Sequence, residues 1–433
     1  MMRLRAVLIL IPVVAAVCAH AQPAPSAAVP GVDLEKPLTL DDLVRLALAN
    51  NPVTTIAVET VKRADAGVVQ ARAAQLPDLG LNWDARQDKT LTGPSGGRSS
   101  RDLNLTLSQT FYKSGLREQI GAARAGARAA RYGDVDTRRA LILNVAQSYF
   151  AALANVGLAE VAMRAVASSQ QHLDLADARI GRGVAARADR YPFEVELAQA
   201  RLAAISADNA AKTSLTDLKR AVGLPSSTAI KIAQAQTYPP YSGKLAELLQ
   251  TAYGNRPDIK QSQEQVKQSR QLLRIAEIQA GPVLTVGGAA DYGRHTGTTG
   301  DDWQVSAGVS MPIFDAGLSK AGVDSARSSL RITEENLRST QLEISAEVER
   351  NFLNVTAAAA GITAADAALQ SAQVSLGAAQ EKYANGVGTV VDVTDAQTKL
   401  EQADAAQVKA RYDYNTSLAA LKAAVGRMDI TVP

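Results

Sequence analysis

The chain has 433 residues, 46% of them hydrophobic but only 4% aromatic, and its 46 Lys and Arg against 43 Asp and Glu give a net charge of +3. So even a balance excludes the basic surplus that nucleic acid requires, and three histidines with a single cysteine leave little for a metal or thiolate site. The length suits several cores or one very elongated body.

At the N-terminus, Arg3 and Arg5 precede the apolar run AVLILIPVVAAV, and Ala19-His20-Ala21 supplies the small residues of a cleavage site. Residues 1–21 therefore read as a secretory signal peptide, too short for a spanning helix. Its removal takes away two arginines and no acid, which lowers the net charge to +1. Cys18 lies inside this segment, and Val17 before it is bulkier than lipoprotein processing tolerates, so no lipidation is expected. No later run reaches the roughly 18 apolar residues of a membrane helix. An exported chain of this kind is periplasmic, secreted, or inserted in an outer membrane as β-structure.

An extended segment (22–37) leads into a helix over 40–50, broken at Asn50-Asn51-Pro52, and a second over 53–76 that Pro77 ends. Leu79, Leu81 and Trp83 alternate with polar residues, as do Leu103, Leu105 and Leu107, which predicts strands over about 78–87 and 102–111. The DKTLTGPSGGRSS loop between them, with GPSGG at 93–97, precedes no helix and reads as a solvated tip. No proline occurs from Tyr112 to Tyr191, and a helix over about 114–180 spans roughly 100 Å at 1.5 Å per residue. A break at Gly183 then returns the chain through a long helix to Gly223.

After a linker over 224–243 containing PPYSG, the same order repeats over 244–427, leaving a tail at 428–433. Asn255-Arg256-Pro257 echoes the first break, Pro282 echoes Pro77, and Ala424-Val425-Gly426 echoes Ala221-Val222-Gly223. The repeat at 38–223 thus recurs as a whole, with strands expected at about 283–293 and 302–312. Ile142, Ala146, Phe150 and Leu153 form a stripe matched by Ile344, Val348, Phe352 and Val355, as expected of coiled-coil-like packing. The fold class expected is mainly α with a β-barrel part, built from a duplicated unit of long helices and two strands.

Strands of about ten residues suit tilted outer-membrane crossings, but four of them cannot close a barrel, and an open edge in lipid leaves backbone groups unpaired. If they span, the chain oligomerises, and three copies supply twelve strands. The alternative is a soluble two-stranded flap in each repeat.

The tips repeat too. ARIGRGVAARADRYPFEVEL at 178–197 aligns with EKYANGVGTVVDVTDAQTKL at 381–400, so that Gly183 meets Gly386 and Asp189 meets Asp392. The glycines suit tight reversals, with Val184, Val387 and Gly388 beside them. Each Asp alone serves the positive end of its return helix, while Asp392 and Asp395 together, three apart, share a helix face.

The duplicated plan, the two Pro breaks, the paired strands and YANGVGTVVDVTDAQ together resemble the TolC-like outer-membrane efflux channel family over essentially the whole mature chain. That resemblance implies a homotrimer with a twelve-stranded barrel in the outer membrane of a Gram-negative bacterium, continued by a twelve-helix tunnel through the periplasm. It further implies helix tips that close the tunnel and open on contact with a periplasmic adaptor and an inner-membrane pump of RND, ABC or MFS type. Carried over residue by residue, Asp392 and Asp395 match the family's aspartate rings at the constriction. Tyr383 matches a tyrosine that holds the closed tip through hydrogen bonds between helices, and Asp189 matches its polar partner position. The adaptor would meet the tips at Gly183, Val184, Gly386, Val387 and Gly388. Two departures stand out: Gly388 replaces an arginine of the family pattern, and Ala188 lacks the usual hydroxyl. A carboxylate ring repels itself, so raised pKa values and binding of blocking cations are expected there.

Catalysis finds little support. His20 leaves with the signal, while His172 on a rod and His295 on a loop are far apart, and no nucleophile or phosphate-loop motif appears. No cofactor is expected. The rival readings are a periplasmic structural or adhesive coiled coil and, more weakly, a general porin.

Overall fold

The computed structural model describes residues 36–88, 98–233, 241–295 and 298–427. The signal peptide with Cys18, most of the 22–37 segment, the GPSGG tip, part of the linker and the 428–433 tail lie outside the described residues.

A two-residue strand, β1 (Pro37–Leu38), leads into α1 (Leu40–Asn50), started by a Thr39–Asp42 capping box. Asn51 then caps α2 (Pro52–Ala73), which has Pro52 in its first turn where no amide is missed. After β2 (Asp78–Asp88) and β3 (Arg98–Lys113) comes α3 (Leu116–Gly181), 66 residues without interruption. A 3₁₀ turn at Arg187–Asp189 leads into the return helix α4 (Arg190–Val222). The linker contributes β4 (Lys231–Ile232), which pairs in parallel with β1. The second half repeats the order as α5 (Leu245–Asn255), α6 (Pro257–Ile278), β5 (Val283–His295), β6 (Thr298–Ser310), α7 (Leu318–Ala384) and α8 (Val390–Ala424).

The strands differ from expectation at their ends. β3 begins about four residues earlier, where the polar RSSRD gives no readable alternation, and β6 runs 298–310 rather than 302–312, because Pro312 cannot extend a ladder. His295, expected in a loop, ends β5.

The four long strands form one antiparallel sheet in the order β2-β3-β5-β6, so β2 and β6 are its free edges. Register draws an apolar band across one face: Leu81 pairs with Leu105, Leu105 with Ala290, and Ala290 with Trp303. The opposite face carries Asn82, Asn104, Asp291 and Asp302 in one row and Asp84 beside Asp102 in the next. The apolar face is bare in the single chain, with Leu81 67% and Trp303 81% exposed.

Below the sheet the long helices bury their stripes in three places. Ile142, Val145, Phe150 and Leu153 of α3 pack with Leu43 and Leu218. Ile344, Val348 and Val355 of α7 pack with Tyr414, Leu418 and Leu421 of α8. A third cluster joins all four long helices near the hairpin tips. The Pro breaks lock onto the ends of the return helices: Asn51 Nδ2 donates to Ala221 O at 2.8 Å, and Arg256 Nη1 donates to Ala424 O at 3.0 Å.

One expectation needs correcting. α3 and α7 each contain an 18-residue window with a mean hydropathy of 1.4, long and apolar enough to cross a membrane by composition alone. Alanine raises that mean, while Asn144, Gln147 and Ser148 interrupt the surface of α3. Core helices of soluble proteins pass the same test, so the windows carry no assignment.

Candidate functional site: the helix-hairpin tips

Each hairpin reverses through the same turn. Gly183 has φ 73° and Gly386 φ 78°, the left-handed region that glycine enters without strain. Gly183 N donates to Ile180 O (2.9 Å) and Val184 N to Arg179 O (3.1 Å); Gly386 N and Val387 N donate likewise to Tyr383 O and Lys382 O, each at 3.0 Å. This closes two of the carbonyls that a helix end leaves open. The side chains of Val184 and Val387 extend into solvent, 62% and 80% exposed.

The two aligned acids do equivalent work. Asp189 Oδ2 accepts from Ala186 N at 3.2 Å, and Asp392 Oδ2 accepts from Thr389 N at 2.8 Å and Thr389 Oγ1 at 2.7 Å. Thr389 Oγ1 in turn accepts from Asp392 N at 3.2 Å, which completes a capping box at the start of α8. Asp189 stands immediately before α4. The Thr389 amide and hydroxyl hold Asp392 below the ordinary carboxylate pKa, against the rise expected for a self-repelling ring. That rise requires sister carboxylates, and within one chain the cap decides the sign. Asp395 lies a turn further along, exposed, with no hydrogen bond or ion pair among the described residues.

Tyr383 is buried at 3% exposure among Phe193, Leu197, Val393 and Leu376. Burial raises its pKa, opposed by Arg179 and aided by Asp189. Its hydroxyl makes no hydrogen bond to Asp189 or to any other described residue. Phe193 meets its ring edge-on at 5.7 Å between centres, and His172 follows at 5.9 Å from Phe193.

Gly388 explains its own departure from the family pattern. A Cβ there would stand 2.9 Å from Lys382 Cβ and 3.0 Å from Tyr383 N, so no side chain fits without a shift. A guanidinium is nonetheless present at the tip, from a different element. Arg179 of α3 places its Cζ 4.4 Å from the Tyr383 ring centre, and its Nη2 stands 3.7 Å from where a Gly386 Cβ would be. Sequence reasoning passed over Arg179, although it continues the buried stripe Leu173, Ala176 and is an unlikely occupant of one. His172 was also undervalued: it is buried, with Nδ1 3.1 Å from Glu196 Oε1 and Nε2 2.9 Å from Gln380 Nε2, so it bridges α4 and α7.

At the other end of the chain, a hollow of about 740 Å³ lies over the polar face of the sheet. Asn82, Asp84, Asp102, Asn104, Asp291 and Asp302 line it.

The chain as a whole resembles known proteins. The family model for outer membrane efflux proteins matches residues 43–224 and 248–427, one segment per half. Protein CyaE of Bordetella pertussis is 26% identical over 411 residues, covering 92% of this chain and 86% of its own length. The outer membrane protein TolC of Escherichia coli K12 is 26% identical over 384 residues, covering 83% and 76%. Among solved structures, the Campylobacter jejuni CmeC outer membrane channel superimposes with a TM-score of 0.77 at 20% identity, covering 89% of this chain and 85% of that one. At that identity the superposition speaks for the fold alone.

Proposed function

Because this chain belongs to the outer membrane efflux protein family and is an outer-membrane protein, we propose that three copies close into an exit duct for a tripartite efflux or secretion system. Twelve strands form its barrel, and the long helices form a tunnel extending into the periplasm. The observation that carries this reading is the sheet with two free edges and one wholly bare apolar face. Lipid covers such a face, and neighbouring copies pair such edges, since unpaired backbone groups in a bilayer cost several kcal/mol each. A water-soluble periplasmic coiled coil would leave Leu79, Leu81, Trp83, Trp303 and Val305 in contact with water, 66% to 81% exposed.

The duct is passive and its gate lies at the tips. Asp392 and Asp395 of three copies form the constriction, Tyr383 and Asp189 belong to the tip packing, and Gly183, Val184, Gly386, Val387 and Gly388 meet the periplasmic adaptor. The exposed Val184 and Val387 support a contact surface there. An inner-membrane pump supplies the energy, since nothing in the duct's chemistry does. The domains divide as a signal peptide, two equivalent halves and a linker beside the belt of short helices. Single-channel recording in planar bilayers tests the constriction. The Asp392→Asn/Asp395→Asn pair abolishes cation preference and block by divalent cations; unchanged selectivity and block would refute it.

A further inference from the structure

The apolar face of the sheet keeps its charges at one end. Along the positions that alternate onto it, every row from Leu284 and Val309 up to Leu81, Leu105, Ala290 and Trp303 is uncharged. The next row is Trp83, Leu103, Tyr292 and Asp301, and the row beyond it is Ala85, Arg101, Arg294 and Thr299. Arg101 on β3 is exposed, and its register partner on β5 is Arg294. Like charges directly opposite one another on paired strands are destabilising, so the β3–β5 ladder gains nothing from this pair. Asp301, diagonal to Arg294, is the one carboxylate on this face among the described residues, and it leaves a positive surplus.

Height and orientation place the pair. Arg294 lies ten residues along β5 from Leu284, about 34 Å at about 3.4 Å per residue. At a strand tilt of about 40° this is about 26 Å along the membrane normal, against about 25 Å for an outward apolar band. The arginine row therefore stands where hydrocarbon gives way to headgroups, just beyond the aromatic Trp83 and Tyr292. The long helices leave the sheet from its opposite end, after Lys113 and Ser310, so with the tunnel in the periplasm the row faces the outer leaflet. Neighbouring copies pair with the edge strands β2 and β6, whereas β3 and β5 are central. In a closed barrel only lipid reaches the outward side of this pair.

We propose that Arg101 and Arg294 form a binding site for the phosphate of an outer-leaflet lipid, one site per copy. The inference rests on the sheet spanning the outer membrane. A phosphate between two arginines converts their repulsion into a shared attraction, and a guanidinium matches phosphate geometry with two parallel donors. Acyl chains below the phosphate cover Leu103, Leu105 and Tyr292, which are 39%, 43% and 59% exposed. That combination of anionic head and apolar tail selects a lipid over free phosphate.

The test measures lipid binding by the full assembled protein in detergent, read by native mass spectrometry with added bisphosphorylated lipid A. The intact lipid binds at one copy per chain. The same lipid stripped of phosphate by phosphatase binds about thirtyfold more weakly, and Arg101→Ala/Arg294→Ala weakens binding of the intact lipid by a similar factor. Equal affinity for the two lipids, or an unchanged affinity in the double variant, overturns the proposal. Displacement of lipid A by an equal concentration of inorganic phosphate identifies a free-anion site and overturns it too. If the double variant does not assemble, Arg101→Gln alone carries the test, with a loss of about fivefold. Lipid A binding that ignores both the phosphates and the arginines refutes the site and leaves the membrane-spanning sheet standing, whereas a protein that stays dispersed in water without detergent or bilayer refutes that sheet itself.

Discussion

Asn51 and Arg256 occupy equivalent positions in the two halves and do the same job, each donating to the carbonyl that ends its own return helix, Ala221 at 2.8 Å and Ala424 at 3.0 Å. The chemistry has diverged while the contact has stayed. Arg256, 5% exposed, also binds Asp258 at 2.6 Å and Glu347 at 2.8 Å, a buried network that Asn51 lacks.

That difference predicts unequal costs. Arg256→Met takes the bonded guanidinium from two partly buried carboxylates, Asp258 and Glu347, which costs about 3–5 kcal/mol. Asn51→Ala loses two neutral hydrogen bonds, the one given to Ala221 O and the cap accepted from Val53 N, and costs about 1–3 kcal/mol. Denaturation of the detergent-solubilised protein, followed by its helical signal, ranks the two. An Asn51→Ala effect at least as large as that of Arg256→Met would contradict the assignment.

The Thr389–Asp392 cap has a defined pH window. A carboxylate held below its unfolded pKa contributes stability that is present above the unfolded value and lost as pH falls through the folded one. Exchange of the Thr389 and Asp392 amides, taken relative to their intrinsic rates, therefore stays constant between about pH 8 and 5 and accelerates below about pH 4. Thr389→Ala removes the cap at every pH, at about 1 kcal/mol. Acceleration already near pH 6 would show that the carboxylate is raised, as a dominant ring repulsion requires.

Gly388→Arg does not install a latch. Its Cβ collides with Lys382 and with the backbone of Tyr383, so the tip loop shifts and the variant is less stable, with more scattered distances between spin labels at positions 184 and 387. A tighter tip in this variant would show that the loop yields at little cost.

The two faces of the sheet predict opposite tolerances at adjacent positions. Trp303→Arg places a charge on the apolar face and costs up to about 2–4 kcal/mol at the bilayer midplane, visible as loss of the heat-modifiable band. Gln304→Arg, on the polar face, inserts normally. Equal behaviour of the two would argue that no lipid touches the sheet.

Much of this architecture was legible because duplication marks it. Pro breaks, tip glycines and terminal Ala-Val-Gly segments recur at near-constant offset, and periodicity changes from helical to alternating where the chain enters the sheet. The early part of β3 was not legible, because Arg98 to Asp102 are polar throughout and carry no alternation. Nor could spacing show that Asp392 caps its helix while Asp395 stands free, since that depends on a Thr389 rotamer. Arg179 is not legible from the acid pattern of the tips; its signal is a charge lying on the apolar stripe of Leu173 and Ala176. The bridging role of His172 is not legible either, because its partners Glu196 and Gln380 come from two other helices.

Threefold closure is tested most directly at the free edges. Cysteines placed singly on β2 and on β6 of the same chain, facing the position of a neighbouring copy, are oxidised in the outer membrane and resolved on a denaturing gel. The account predicts interchain bands that rise to three chains and stop. Absence of any interchain bond, or a ladder extending beyond three, would contradict it.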